Sequence, residues 1–186
     1  MRKELQQPWV VEQDDDQLFT DELLQICERV APEPINILEF GAGGSTLYYP
    51  KLLTEKGIKY KWLAVEHEVG WGREVMKYTD HDTTVEIREI PKSYWHRTTI
   101  GKDLTCIHAY TQCPQMLKIE PQSFDLIYVD GRFRRRCLES ASILIKPDGL
   151  VILDNAERKW YHETLRRLFD GQFVKMHWWK GKVKAR

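Results

Sequence analysis

From residue 35 to residue 169 short apolar runs alternate with stretches of helical character, and nothing else in the sequence restricts the fold as much. Parallel strands cannot be joined by a tight turn; they need a crossover of a dozen or more residues, usually a helix. A chain that alternates in this way builds a parallel sheet flanked by helices. Ile35-Asn-Ile-Leu-Glu-Phe40 is the first run, stopped by Gly41. Lys61-Trp-Leu-Ala-Val65 is the second, and Val85-Glu-Ile-Arg-Glu-Ile90 alternates strictly, as a strand nearer an edge does. Phe124-Asp-Leu-Ile-Tyr-Val129 and Leu150-Val-Ile-Leu153 complete the set, the latter after an expected turn at Lys146-Pro-Asp-Gly149. Helices are expected after Ser45, which can cap its own helix, and from Gly70 to Tyr78, Arg135 to Leu144 and Trp160 to Phe169. Ahead of the sheet, Asp14 to Val30 reads as an amphipathic helix with Leu18, Leu23, Leu24 and Ile26 inward. After Trp179 a turn is expected at Lys180-Gly181, then a basic tail whose alternating lysines suit a solvated edge strand.

The stretch 91–122 departs from the alternation. It carries Ser93-Tyr-Trp-His-Arg97 and then a helix around Asp103 to Cys113, and it leaves the carboxyl end of the third strand. Ligands sit at such strand ends in open parallel sheets. The insertion is therefore either a lid or substrate wall, or an ordinary crossover with a long lead-in. No linker divides the chain, so 1–186 reads as one domain.

Twenty-eight lysines and arginines balance 28 acids. With no global field, nucleic acid is not the expected partner and would need a local patch such as the basic tail. No apolar run approaches the ~20 residues that span a bilayer, and residues 1–16 are polar rather than signal-like. Cys27, Cys106, Cys113 and Cys137 have neither C-x-x-C nor zinc-finger spacing. A cytoplasmic protein with free thiols is the expectation, with no membrane partner.

The densest local signal is Glu39-Phe-Gly41-Ala42-Gly43-Gly44-Ser45-Thr46, between a strand and a helix. Glycines let the backbone turn tightly and a ligand approach closely, and a helix N-terminus offers free N–H groups to an anion. A tight turn without a ligand would need the same residues. Glu66 follows the second strand, placed to accept hydrogen bonds from ribose hydroxyls; His67 beside it is a candidate wall of the same pocket. Position 46 is Thr where the dinucleotide-binding turn G-x-G-x-x-G carries its third glycine, which counts against an NAD(P)-binding oxidoreductase, the alternative reading.

Glu39-x-Gly41-x-Gly43 with Glu66, then Phe124 to Asp130-Gly131, then Leu144-Ile-Lys-Pro-Asp-Gly149-Leu-Val-Ile-Leu-Asp154, resembles the ordered motif set of class I S-adenosylmethionine-dependent methyltransferases over about residues 35–169. The resemblance implies a Rossmann-like α/β fold: a mostly parallel seven-stranded sheet, helices on both faces, an antiparallel C-terminal strand. It implies S-adenosyl-L-methionine as cofactor, held by Glu39, by Gly41, Ala42, Gly43, Gly44 and Ser45 under its methionine part, by Glu66 at the ribose, and by Asp130 facing donor and substrate; His67, next to Glu66, would then line the adenosine pocket. Val129-Asp-Gly-Arg-Phe-Arg134 further resembles a group of small bacterial methyltransferase-like proteins.

Asp130 with Asp154-Asn155 resembles the Mg2+ site of catechol-type O-methyltransferases, since two carboxylates and an amide oxygen suit a hard cation; the same pair also caps helices and shapes turns. Arg132, just past the fourth strand, is a candidate clamp for a carboxylate or phosphate, whereas Arg134, Arg135 and Arg136 read as the solvated face of a helix. Asp130 and Arg132 are the candidate catalytic residues. His96 could serve as a base and Trp71 could lie near the cofactor, although packing fits both. The expected activity is O- or N-methylation of a small-molecule acceptor, with a non-catalytic cofactor-binding protein as a further alternative.

Overall fold

A computed structural model of the chain describes residues 13–68, 70–79, 85–90 and 104–185. Helix α1 (Gln13–Val30) precedes strand β1 (Ile35–Phe40), and α2 (Gly44–Glu55) leads to β2 (Tyr60–Glu66). Next come α3 (Trp71–Met76), β3 (Val85–Glu89) and the helices α4 (Leu104–Thr111) and α5 (Cys113–Met116). β4 (Phe124–Val129), α6 (Arg134–Leu144) and β5 (Ile145–Leu153) follow, and a 3-10 turn (Lys159–Tyr161) enters α7 (His162–Leu168). The last two strands are β6 (Phe169–Phe173) and β7 (Trp179–Val183).

All seven strands form one sheet in the order β3-β2-β1-β4-β5-β7-β6. The first five run parallel, and β7 is antiparallel to both β5 and β6. Both faces are covered, which explains why β1 and β4 read as near-continuous apolar runs. Ile35 and Ile37 face a core built with Phe19 and Leu23 of α1 and Leu53 of α2. Leu38 and Phe40 face the other, shared with Tyr110 of α4, Leu138 of α6 and Leu165 of α7. Each large side chain so buried contributes roughly 1.5–3 kcal/mol. The chain order reverses between β1 and β4, which opens a crevice at their carboxyl ends.

Several expectations need correction. In α1 the buried stripe is Phe19, Leu23, Ile26 and Cys27, the i, i+4, i+7, i+8 pattern of a helix face; Leu18 and Leu24 flank it half-buried. Lys146 to Gly149 belongs to β5, where the pairing shifts register between Phe124 and Leu126; such irregularities accommodate a proline, which cannot donate to a ladder. Lys180-Gly181 lies inside β7 rather than in a turn. A Cβ on Gly181 would stand 2.4 Å from the Trp179 ring, and one on the paired Gly171 2.3 Å from it. These glycines make room for an indole. Since β7 lies between β5 and β6, its lysines do not decorate an edge. Of the insertion, residues 91–103, with His96, lie outside the described residues; α4 and α5 pack against the sheet through Tyr110 and Cys113. Cys27, Cys113 and Cys137 are free and buried. No helix among the described residues is long and apolar enough to cross a membrane.

Candidate active site

Strand register places the candidate residues in one row. Phe40 pairs with Val65 on one side and Val129 on the other, and Val129 pairs with Leu153. The next residue of each strand is Glu66, Gly41, Asp130 or Asp154, so these four stand side by side at the carboxyl edge. They line a cleft of about 790 Å3 together with Ala42, Gly43, Gly44, Ser45, His67, Arg132 and Asn155.

At the centre the β1 and β4 turns interlock. The Phe40 carbonyl accepts the N–H groups of both Asp130, at 3.0 Å, and Gly131, at 2.5 Å. A Cβ on Gly41, whose φ is +104°, would lie 2.8 Å from Gly131 Cα, and one on Gly131 would lie 2.0 Å from the Tyr110 hydroxyl. Glycine is needed at both positions because two backbones touch there.

On the β1–β2 side two acids hold the glycine loop from behind. Glu39 is fully buried and does not line the cleft. Its carboxylate accepts the hydroxyls of Ser45 and Thr46, the latter at 2.7 Å, and the Trp62 indole N–H at 2.9 Å. Thr46 Oγ1 in turn accepts the Gly43 N–H at 2.9 Å. Ser45 thus anchors the loop to Glu39, while Gly43 takes the N-cap position expected of it. Burial pushes the Glu39 carboxyl up to about 7 against these three hydrogen bonds. Glu66 accepts the N–H groups of Ala42 at 2.9 Å and Glu68 at 2.6 Å, with His67 Nδ1 at 2.7 Å. Burial raises its carboxyl, but the bonds from His67, Ala42 and Glu68 together outweigh it and hold the group below its ordinary value. Trp71 closes the loop from α3, its indole N–H donating to the Ala42 carbonyl at 2.6 Å. Packing and cleft lining are the same role for this residue.

On the β4–β5 side one cation holds two acids. Arg134 is 8% exposed and is no part of a solvated helix face, unlike Arg135 and Arg136. Its guanidinium donates to the side chain and carbonyl of Asp130 (2.7 Å to Oδ1), to the side chain and carbonyl of Asp154 (3.3 Å to Oδ2), and to the Gly131 carbonyl at 3.0 Å. Confinement by the cleft walls pushes the Asp130 carboxyl up, Arg134 pulls it down, and Asp154 beside it pushes it up again. Asp130 still presents about 42% of its side chain to the cleft. Phe133, at the start of α6, has φ 53°, a rare conformation for a bulky residue that clusters at functional sites. Arg132 is exposed on the cleft wall.

The Mg2+ set that Asp130, Asp154 and Asn155 resemble does not fit. The guanidinium already lies between Asp130 and Asp154, and no group of three or more His, Cys, Asp or Glu among the described residues is arranged to hold a metal. Asn155 lines the cleft in a left-handed turn at φ 49°, a conformation Asn tolerates. The sequence reading also misses five lining residues, Tyr49, Tyr128, Arg158, Tyr161 and Trp178. They come from four separate segments, so no local spacing could group them. Arg134 leaves one signal, its position four residues after Asp130, near enough for the turn between strand and helix to bring the two charges together.

No protein-family description matches the sequence, and no curated protein matches it at a significant level. Solved structures do match. A methyltransferase-like protein of Silicibacter pomeroyi superposes with TM-score 0.60 at 20% identity, over 89% of this chain and 86% of that one. The CMeT domain of the citrinin polyketide synthase gives 0.62 at 13% identity, over 93% of this chain and 52% of that one. The MycE methyltransferase of the mycinamycin pathway, solved with Mg, SAH and mycinamycin VI, gives 0.57 at 12% identity, over 92% of this chain and 47% of that one. The chain has the Rossmann-like fold of these methyltransferases.

Proposed function

We propose that the cleft binds S-adenosyl-L-methionine and that the chain transfers its methyl group to an oxygen or nitrogen of a small-molecule acceptor. The observation that carries this reading is the charge of the β1–β2 side. Glu39 and Glu66 stand behind the glycine loop, their carboxylates held by hydroxyls, an indole, backbone N–H groups and His67. Among the described residues no lysine or arginine lines that half. A pyrophosphate there would meet carboxylates without a compensating guanidinium. A cofactor with a sulfonium, an ammonium and one carboxylate suits the same surroundings, its carboxylate at the N-terminus of α2 and its cations nearer the acids.

Glu66 retains acceptor capacity for ribose hydroxyls, since an ionised carboxylate offers about four acceptor sites. His67 extends that wall toward the adenosine. When bound, the cofactor supplies an electrophilic methyl group on a cationic sulfur. In-line transfer then depends chiefly on alignment. Asp130, at the junction of the two sides, is placed to orient the acceptor and take its proton, and Arg132 to grip an anionic group on it.

Parallel calorimetric titrations with S-adenosylmethionine, S-adenosylhomocysteine and NAD test the reading. Binding of the first two and silence from NAD is expected. Binding of NAD alone would replace the reading with a dinucleotide-binding one, and silence from all three would remove the cofactor.

A further inference from the structure

The surroundings of Arg134 resemble an ion site in every respect except what fills it. Five oxygens converge on this side chain: one carboxylate oxygen each from Asp130 and Asp154, and the backbone carbonyls of Asp130, Gly131 and Asp154. Two belong to carboxyl groups, all are hard, and they come from the ends of two neighbouring parallel strands. Such a donor set, several oxygens including carboxylates and carbonyls, is what a hard divalent cation takes. A guanidinium has five N–H donors in a fixed planar fork and no acceptor. Here the five donors meet the five oxygens, so none remains for a substrate. At 8% exposure the group is buried in the cleft wall, between the two acids.

The location adds a cost that only such a role offsets. Arg134 is the first residue of α6, where the helix macrodipole disfavours a cation. Removing one partner of a buried ion pair leaves an uncompensated charge, which is strongly destabilising. The arginine therefore belongs to the two acids rather than to its helix.

We propose that Arg134 is a built-in substitute for a divalent cation: it holds Asp130 and Asp154 in position at the acceptor side of the cleft and makes the site independent of metal. In this role it is a positioning residue, because its N–H donors are all taken by the two acids and the neighbouring carbonyls. The assignment deepens the methyl-transfer reading of the same cleft, but its test needs neither cofactor nor acceptor.

The probe is Mn2+, followed by the electron paramagnetic resonance signal of the free ion while protein is added. Wild-type protein should leave that signal unchanged at millimolar Mn2+. Arg134→Ala, shown folded by a cooperative thermal transition, should take up one Mn2+ per chain. Adding Asp154→Asn to that variant should weaken the uptake by about tenfold or more. Arg134→Gln, which keeps most of the side-chain volume, serves if the alanine variant does not fold. Uptake of Mn2+ by the wild type that Asp154→Asn removes would overturn the proposal, and so would a folded Arg134 variant that takes up none. Loss of S-adenosylhomocysteine binding with the Mn2+ results intact would instead count against the cofactor reading alone.

Discussion

The two sides of the cleft solve the same electrostatic problem in opposite ways. At the ends of β1 and β2, buried carboxylates are held by hydroxyls, an indole, backbone amides and one histidine. At the ends of β4 and β5, they are held by a single guanidinium. The first arrangement leaves the acids beside the glycine loop without a lysine or arginine partner among the described cleft residues, open to a ligand that brings its own cation. The second cancels most of its charge internally and spends its order on geometry. A buried acid near a cleft is therefore no guide to its role until its partners are known. Glu39 and Asp130 are both pushed upward by confinement, yet only Asp130 faces the cleft.

This contrast can be broken at several points. The largest effect is expected from Arg134→Ala, which leaves Asp130 and Asp154 facing each other; about 3 kcal/mol should be lost in urea denaturation. A loss within 0.5 kcal/mol, the size of a surface substitution, would show that the acids need no cation. Next comes the seam between the sides. Gly131→Ala drives a methyl group into the Tyr110 hydroxyl and the Phe40 carbonyl and should cost about 1–3 kcal/mol. Tyr110→Phe should recover part of that cost and not all, because the carbonyl remains.

The Glu39 carboxyl sharpens the contrast through pH. Its value is about 7 in the folded chain against an ordinary 4.5. Between these values the folded state holds a proton that the unfolded state has released, so this group's contribution favours folding at low pH. Stability from it falls as pH rises from 4.5 to 7, by at most about 1.4 kcal/mol per pH unit. Glu39→Gln should lack that slope when denaturation is compared at pH 5 and pH 7.5; equal slopes would mean that hydrogen bonding keeps Glu39 ionised throughout. Glu66→Ala should weaken S-adenosylhomocysteine binding about tenfold, roughly 1.4 kcal/mol, with the domain still folded, and unchanged affinity would remove the ribose assignment. The smallest stability effect is expected from Arg132→Ala, within about 0.5 kcal/mol, while KM for an anionic acceptor rises; an unchanged KM would return Arg132 to the solvated surface.

How far the sequence could be read follows the same division. The β1–β2 side was legible because its determinants are consecutive: Ile35–Phe40, the glycines and Ser45 lie on one stretch, and Glu66 ends the next strand. Even there, the sequence points Ser45 to a helix cap although its hydroxyl donates to Glu39, because a hydroxyl that accepts from a backbone N–H and one that donates to a carboxylate look alike in sequence. The β4–β5 side was read less well. Arg134 sits among Arg132, Arg135 and Arg136 with nothing local to mark it as the buried one, and its second acid lies 20 residues away. At the other end, Gly181 reads as a turn in sequence because the need for a glycine arises from Trp179 folding over a cross-strand pair. Where a residue's reason lies in a neighbouring strand, one-dimensional pattern fails.

The most direct single measurement is a crystal structure of the protein soaked with S-adenosylhomocysteine. The ribose hydroxyls should lie within hydrogen-bond distance of Glu66, the amino-acid end over Gly41 to Ser45, and the sulfur toward Asp130, with Arg134 still between its two acids. A ligand seated against Arg132 and Arg158 instead, with the glycine loop empty, would contradict the division of the cleft on which the proposed function rests.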